Sequence, residues 1–339
     1  MRESPVLVIV SIDTEEDNWY RSRQDVTVQN IGELRRLAGF FDRLGVRPTY
    51  FTAYQVAADA RAADMMREVC SGGRGEIAAH LHPWNTPPLS EAFVARNSML
   101  KNLPAELQLA KLQRLTAALE EAFEFRPTAF RAGRYGLGRE TVAALLRCGY
   151  RVDSSVAPFI NLEPVDDGPS FVGAPIVPYR LAPDRDAREP APNGDLLEIP
   201  MSYGFSRAPF SFWHPARRLL EAPPGRWFHL PGVAHRTGLI KRIALSPEQS
   251  SMRDMLTLSR RLLEQGVRHL QLFWHSPSLM PGLGHCRSAA DVERLYSSVA
   301  AYLEGLTRMT SLTFVTVSEA ASLLSQDMQS RPAQESAAC

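Results

Sequence analysis

Short apolar runs rich in β-branched residues recur along the chain, each followed by a longer stretch with apolar residues at helical spacing. The runs predict strands at residues 6–12, 47–51, 76–80, 128–131, 150–153, 196–200, 269–274 and 312–317. The amphipathic stretches predict helices over residues 31–44, 57–70, 105–125, 139–148, 247–265, 289–306 and 318–325. This alternation belongs to βα units with parallel strands. It predicts an α/β fold, a deformed (β/α) barrel of seven or eight strands.

Residues 157–235 break the rhythm. They hold fourteen of the twenty-five prolines, which predicts an irregular or β-rich insertion in place of another βα unit. The insertion also carries Tyr179, Tyr203, Phe205, Phe210, Phe212, Trp213, Trp227 and Phe228. Such aromatics either form a stacking wall for a sugar or pack the insertion onto the body. Polar composition predicts a disordered tail at residues 327–339, leaving residues 1–326 as one barrel domain.

The chain has 339 residues, long enough for a large core, with 45% hydrophobic and 22% charged residues. Those proportions favour neither disorder nor a membrane class. Thirty-eight Lys plus Arg against thirty-seven Asp plus Glu give a net charge of +1, which argues against a general binder of nucleic acid or anionic membranes. Cys70, Cys148, Cys286 and Cys339 are scattered without a CxxC pair, as expected of reduced thiols. The start lacks a signal-peptide pattern and no apolar run reaches membrane-spanning length, so a cytoplasmic enzyme is expected. Nothing in the sequence indicates an oligomeric state. There is neither a GxxxxGK[ST] phosphate loop nor a strand-placed GxGxxG.

Candidate chemistry gathers where strands end. The first strand runs into Ser11-Ile12-Asp13-Thr14-Glu15-Glu16-Asp17. Side chains two apart on an extended segment share a face, so Asp13 and Glu15 converge. In a parallel barrel the C-terminal strand ends form the active-site mouth, which places this pair for metal binding or proton transfer; a solvated acidic loop is the plainer alternative. The third strand ends in His80-Leu81-His82-Pro83-Trp84, which puts two imidazoles on one face. Two histidines and a carboxylate make a three-ligand site with an open position, as catalytic zinc requires. Phe130-Arg131-Ala132-Gly133-Arg134-Tyr135-Gly136 closes the fourth strand in a glycine-rich turn. Arg131 can orient a carboxylate there, and backbone N–H groups of the turn can face an oxyanion. Phe273-Trp274-His275 ends a late strand and delivers a third histidine, a candidate general acid.

This motif series resembles the polysaccharide deacetylase family, the NodB-homology or family-four carbohydrate esterases, and most closely its WalW-like branch. The likeness spans most of the chain and also includes Tyr-Arg-Val-Asp-Ser-Ser at 150–155, Leu-Leu-Glu-Ile-Pro at 196–200 and Leu-Phe-Trp-His-Ser-Pro at 272–277. It implies a deformed βα barrel and metal-dependent hydrolysis of an N-acetyl amide on an amino sugar or glycan intermediate, usually with zinc. By this resemblance Asp13 is the general base, Arg131 the residue that orients it, and His275 the acid. Asp153 corresponds to a residue that tunes the acid, and the backbone N–H of Tyr135 to an oxyanion donor. Many members carry a second Asp where this chain has Thr14; branches that read Asp-x-Glu make Glu15 the better carboxylate ligand, with Glu16 as fallback. His80 matches the first metal histidine. The usual second one falls at Trp84, so His82 substitutes, and Gly133 replaces a proline. Trp84, Arg134 and Trp274 are the expected substrate contacts.

Rival readings remain at this level. Amidohydrolase-type and PHP-type hydrolases also use HxH on a barrel, but after the first strand, where this chain has acids. An amide hydrolase acting on a ureide or formamide shares the same metal centre. A catalytically degenerate carbohydrate-binding protein would explain Thr14 and Trp84.

Overall fold

A computed structural model describes residues 5–17, 23, 25–221 and 240–336. Among them, strands β1 Val6–Thr14, β2 Thr49–Ala53, β3 Glu76–Leu81, β4 Ala129–Ala132, β5 Val152–Asp153, β6 Tyr179–Leu181, β7 Leu196–Glu198, β10 His269–His275 and β11 Leu312–Val315 form one nine-stranded sheet. Its order is β10-β1-β2-β3-β4-β5-β7-β6, with β11 beside β1. Every pairing is parallel except β6 with β7, so eight strands run parallel in a curled, barrel-like sheet. This is the α/β barrel expected from the sequence. Strands β8 Tyr203–Phe205 and β9 Arg242–Ala244 pair separately as an antiparallel ribbon.

β1 is central and buried on both faces, which is why it reads as an unbroken apolar run. Val6, Val8, Val10 and Ile12 pack outward into the main core under the helices. Leu34, Leu37, Ala38 and Phe41 of helix Leu34–Leu44 recur at helical spacing in that core, and Gly45 ends the helix with a φ of 65°. Helix formation over residues 57–70 is interrupted at Asp59, whose carboxylate accepts the Ala62 N–H at 2.9 Å and caps helix Ala60–Cys70.

The inner face is layered. The floor is apolar: Ile9, Phe51, Ala78, Ala129, Leu197 and Val315 pack against Val317, Ala320, Ala321 and Leu324 of helix Val317–Ser336. That helix runs past Gln326, where polar composition alone predicts a disordered tail. Above the floor Ser11, Arg131, Ser154 and Gln271 form a buried polar layer. Arg131 Nη2 donates to Ser11 Oγ at 3.0 Å, and Gln271 Nε2 donates to Ser154 Oγ at 3.0 Å. Between β10 and β7 the wall is irregular backbone: the Gln271 N–H donates to Ser202 Oγ at 2.9 Å and the Phe273 N–H to the Leu245 carbonyl at 3.0 Å.

The insertion contributes β6, β7 and β8, but also helix Phe210–Glu221, which its proline content does not predict. Its described aromatics mostly pack it onto the body. Phe205 and Phe210 meet the Phe159 ring at 5.1 and 5.7 Å, and the buried Tyr179 hydroxyl donates to the Ala187 carbonyl. Phe212 is exposed. Trp227 and Phe228 lie outside the described residues. Cys70, Cys148 and Cys286 are free thiols, while Cys339 also lies outside the described residues. No helix among the described residues is long and apolar enough to cross a membrane.

Candidate active site

Register across the sheet brings the distant motifs together. Asp13 pairs with His275 on one side and Phe51 on the other, Ala53 with His80, and His80 with Arg131. The alternation along β1 points Ser11, Asp13 and Glu15 inward. Thr14 falls on the other face, where its hydroxyl turns back to the Ile12 carbonyl at 3.1 Å. A carboxylate at position 14 would point away from the centre, so the sequence supplies it at position 15.

Glu15, His80 and His82 converge, with one donor atom from each within 4.8 Å of the others. Glu15 Oε2 lies 3.2 Å from His82 Nε2 and 3.6 Å from His80 Nε2. All three side chains are buried. His80 Nδ1 sits 2.9 Å from the Arg131 carbonyl oxygen, an acceptor, so it carries the proton and leaves Nε2 as a lone pair. His82 Nδ1 is fixed in the same way by Glu16 Oε1 at 2.9 Å. Two imidazole lone pairs then face Glu15 Oε2, a buried oxygen with no hydrogen-bond partner. Such an arrangement requires a positive charge between the donors. These three residues fit a divalent cation, with the outer hydrogen bonds that metal-bound histidines ordinarily make. Without a cation a proton fills the need: burial opposes a charged His82, yet Glu16 and Glu15 raise its pKa to about 10. Burial also works against the Glu15 charge, but His275, His80 and His82 hold that carboxyl far below its usual range.

The outer support is extensive. Trp84 stacks on His82 at 4.1 Å and donates its indole N–H to Glu16 Oε1 at 3.2 Å. Buried Lys111 donates to the Pro83, Thr86 and Pro88 carbonyls at 2.8, 2.7 and 2.7 Å, clamping the loop after His82. Sequence pattern gave no sign of this, because Lys111 reads as the polar face of an ordinary amphipathic helix. Gly133 has a local reason as well, since a Cβ there would stand 2.4 Å from His82 Cδ2.

Asp13 Oδ1 accepts from Arg131 Nη1 at 2.5 Å, while Oδ2 lies 3.8 Å from His275 Nε2. His275 Nδ1 is 2.7 Å from Glu248 Oε2, and the His275 backbone N–H donates to Glu248 Oε1 at 3.2 Å. Burial disfavours the imidazolium, but Glu248, then Glu15 and Asp13, raise the His275 pKa well above 6.5. Burial likewise opposes the Glu248 charge, yet His275 and His285 hold its pKa at about 2. Sequence reasoning missed Glu248. It sits in the loop between β9 and helix Met252–Glu264, inside a stretch that reads as helix, and no spacing ties it to position 275.

Three expected contacts are corrected. Asp153 does not reach His275; it lies opposite Glu198 across β5 and β7, accepting the Ser155 N–H at 3.0 Å and the Ser155 hydroxyl at 2.8 Å. Glu248 is the carboxylate on His275 instead. Trp274 points outward and packs on Phe41 at 5.9 Å, since strand alternation sends it opposite to His275. Trp84 is buried against His82 and Glu16 and does not line the cavity.

Arg134 and Tyr135 do line it, both with left-handed backbone, φ 51° and 58°. Arg134 is held by Ser98 and by Asp166 at 2.9 Å, and the Tyr135 hydroxyl meets that of Tyr203 at 2.9 Å. The cavity, of about 530 Å³, has Asp13, Glu15, His80, His82 and His275 along one side. Leu162, Met201, Phe273 and Leu283 also line it. None of the described insertion aromatics does.

No protein-family model and no curated protein sequence matches the chain. Solved structures do. A candidate polysaccharide deacetylase from Mycobacterium smegmatis superposes with a TM-score of 0.53 at 17% identity, covering 96% of this chain and 93% of its own. A candidate glycoside hydrolase/deacetylase from Parabacteroides distasonis gives a TM-score of 0.55 at 13% identity, covering 91% and 68%. A family-four carbohydrate esterase pseudoenzyme from Bacillus anthracis gives 0.44 at 10% identity, covering 94% and 66%. The first two share this chain's fold.

Proposed function

We propose that the protein is a metal-dependent hydrolase that removes the N-acetyl group from an amino sugar or glycan intermediate in the cytoplasm. One observation carries this reading: the orphaned Glu15 Oε2 faced by His80 and His82 opens onto the same cavity as the Asp13–Arg131 and His275–Glu248 pairs. A divalent cation held by Glu15, His80 and His82, zinc on the chemistry of that donor set, would supply Lewis acidity toward the amide carbonyl and the attacking water.

The chain's own residues divide the proton work. Arg131 occupies Asp13 Oδ1 and fixes the carboxylate, so Oδ2 is the atom that accepts the proton of water. His275, protonated and oriented through Nδ1 by Glu248, presents Nε2–H toward the cavity and gives that proton to the amine as the C–N bond breaks. Acid and base stand on neighbouring strands, 3.8 Å apart at their facing atoms. On the cavity wall Arg134 would contact the sugar, and the backbone N–H of Tyr135 would face the oxyanion.

The aliphatic residues on the wall favour a second reading, a compact non-sugar amide such as a ureide. The volume lies in the range of about 300–1,000 Å³ in which pockets enclose a small ligand. The deciding experiment is release of acetate from a panel of N-acetylated sugars by metal-loaded protein, beside ammonia or formate release from ureides and formamides. Acetate release lost on chelation and regained with zinc supports the deacetylase. Turnover of the second set alone supports the other substrate class.

A further inference from the structure

A second set of metal-type donors lies behind the His275 ring. Glu248, His275 and His285 each bring one donor atom within 4.8 Å of the others. Glu248 Oε1 is 3.4 Å from His285 Nδ1, and Oε2 is 2.7 Å from His275 Nδ1. Two ligands of one tetrahedral zinc, each bonded at about 2.0–2.2 Å, stand about 3.3–3.6 Å apart. The Glu15 group has gaps of 3.2 and 3.6 Å, and the Glu248–His285 gap of 3.4 Å is of the same size. The 2.7 Å contact is a hydrogen bond, which widens slightly when a cation replaces its proton.

His285 is delivered by a built turn. Gly282 and Gly284 flank Leu283 with φ of 89° and 50°, and a Cβ on Gly284 would meet Ser278 Oγ at 2.5 Å. The His285 N–H donates to that same Ser278 Oγ at 3.0 Å, and the Ser278 hydroxyl donates in turn to Glu248 Oε1 at 2.5 Å. The carboxylate is thus fixed at the centre of the group. His285 itself is 55% exposed, so a dissolved cation can reach the donors. Two imidazoles and one carboxylate select zinc or copper over magnesium or calcium.

We propose that Glu248, His275 and His285 form a second, exchangeable zinc site on the rear of the general acid, and that filling it switches the hydrolase off. The cation takes the place of the proton on His275 Nδ1. The ring then keeps one N–H, at Nε2, and releasing it would leave an imidazolate, so the group becomes a far weaker acid than an imidazolium. Binding stands on the donor group alone; the switching effect rests on His275 being the acid proposed above.

Equilibrium dialysis of the metal-stripped full chain against zinc separates the two claims. The wild type is expected to bind two zinc ions per chain, one tightly and one at least tenfold more weakly. His285→Ala is expected to lose the weaker ion alone and His80→Ala the tighter one. In turnover assays, half-inhibition by excess zinc should need at least tenfold more zinc in His285→Ala than in the wild type, each compared with its own rate at one equivalent. His285→Gln, which retains a polar side chain, should behave like the alanine variant. A single bound zinc at millimolar excess, or an unchanged second ion in both His285 variants, overturns the site. Two bound ions with undiminished turnover overturn the switch. If no N-acetylated substrate is hydrolysed at any zinc level, the deacetylase reading fails while the dialysis still decides whether the second site exists.

Discussion

Two buried carboxyl pairs keep opposite company. Asp13 and Glu15 at the mouth are 6% and 3% exposed, and Asp153 and Glu198, paired across β5 and β7, are fully buried. Desolvation pushes any such carboxyl toward its neutral form. At the mouth Glu15 meets imidazoles that reverse the effect and keep it ionised. For Glu198, burial is reinforced by the Asp153 charge beside it, and its pKa rises well above the ordinary value. Asp153 is raised too, chiefly by burial, although hydrogen bonds from Glu198 and Ser155 partly oppose the rise. The company of a buried acid, more than its depth, decides whether it is held ionised or pushed toward its neutral form.

Substitutions at both pairs test that contrast, and the largest effect belongs at the mouth. Asp13→Asn keeps the shape but removes the proton acceptor, and turnover should fall about a hundredfold or more, on the scale of a lost positioned base. Retention of near-normal turnover in the purified, metal-loaded variant would end the assignment. Glu16→Gln acts one bond further out. It weakens the hold on His82 Nδ1, and zinc affinity measured by competition with a chelator should drop about 10–100-fold.

Glu248→Gln is expected to move a pH profile. In the wild type His275 stays protonated well above pH 6.5 because Glu248, Glu15 and Asp13 favour its charge. Removing the largest of these supports lowers the pKa, so the alkaline limb of kcat/KM should shift to lower pH, with a greater loss at pH 8 than at pH 6. An unmoved limb would mean that another group sets it.

The smallest effect belongs to the Asp153–Glu198 pair. The folded chain keeps a proton on Glu198 that the unfolded chain loses above about pH 4.3. Wild-type stability therefore declines as pH rises from there toward the folded-state value. Glu198→Gln keeps a neutral group and removes the slope. It should match the wild type near pH 4 and exceed it by the order of 1 kcal/mol at pH 8 in denaturant melts, with turnover little changed.

Much of the site was legible because strand alternation is a strict rule. It placed Asp13 with Glu15 and His80 with His82, while the choice of Glu15 over Glu16 as the ligand rested on the resemblance. The same rule, applied to Trp274 beside His275, excludes both from one face. Asp153 was harder, because β5 is only two residues long and gives no periodicity to read. Glu248 and Lys111 were out of reach. Each reaches the site through tertiary packing, from a loop and from a helix flank, and nothing local in the chain distinguishes them from solvated charges. Among the fold elements, helix Phe210–Glu221 was hidden by its prolines, although Pro215 lies inside the helix.

The floor formed by Ile9, Phe51, Ala78 and the helix Val317–Ser336 packs apolar side chains beneath the buried polar layer. None of them borders the cavity, so a substitution there reaches the site only through the layer between, as Phe51 does with its ring 4.0 Å from the Arg131 guanidinium.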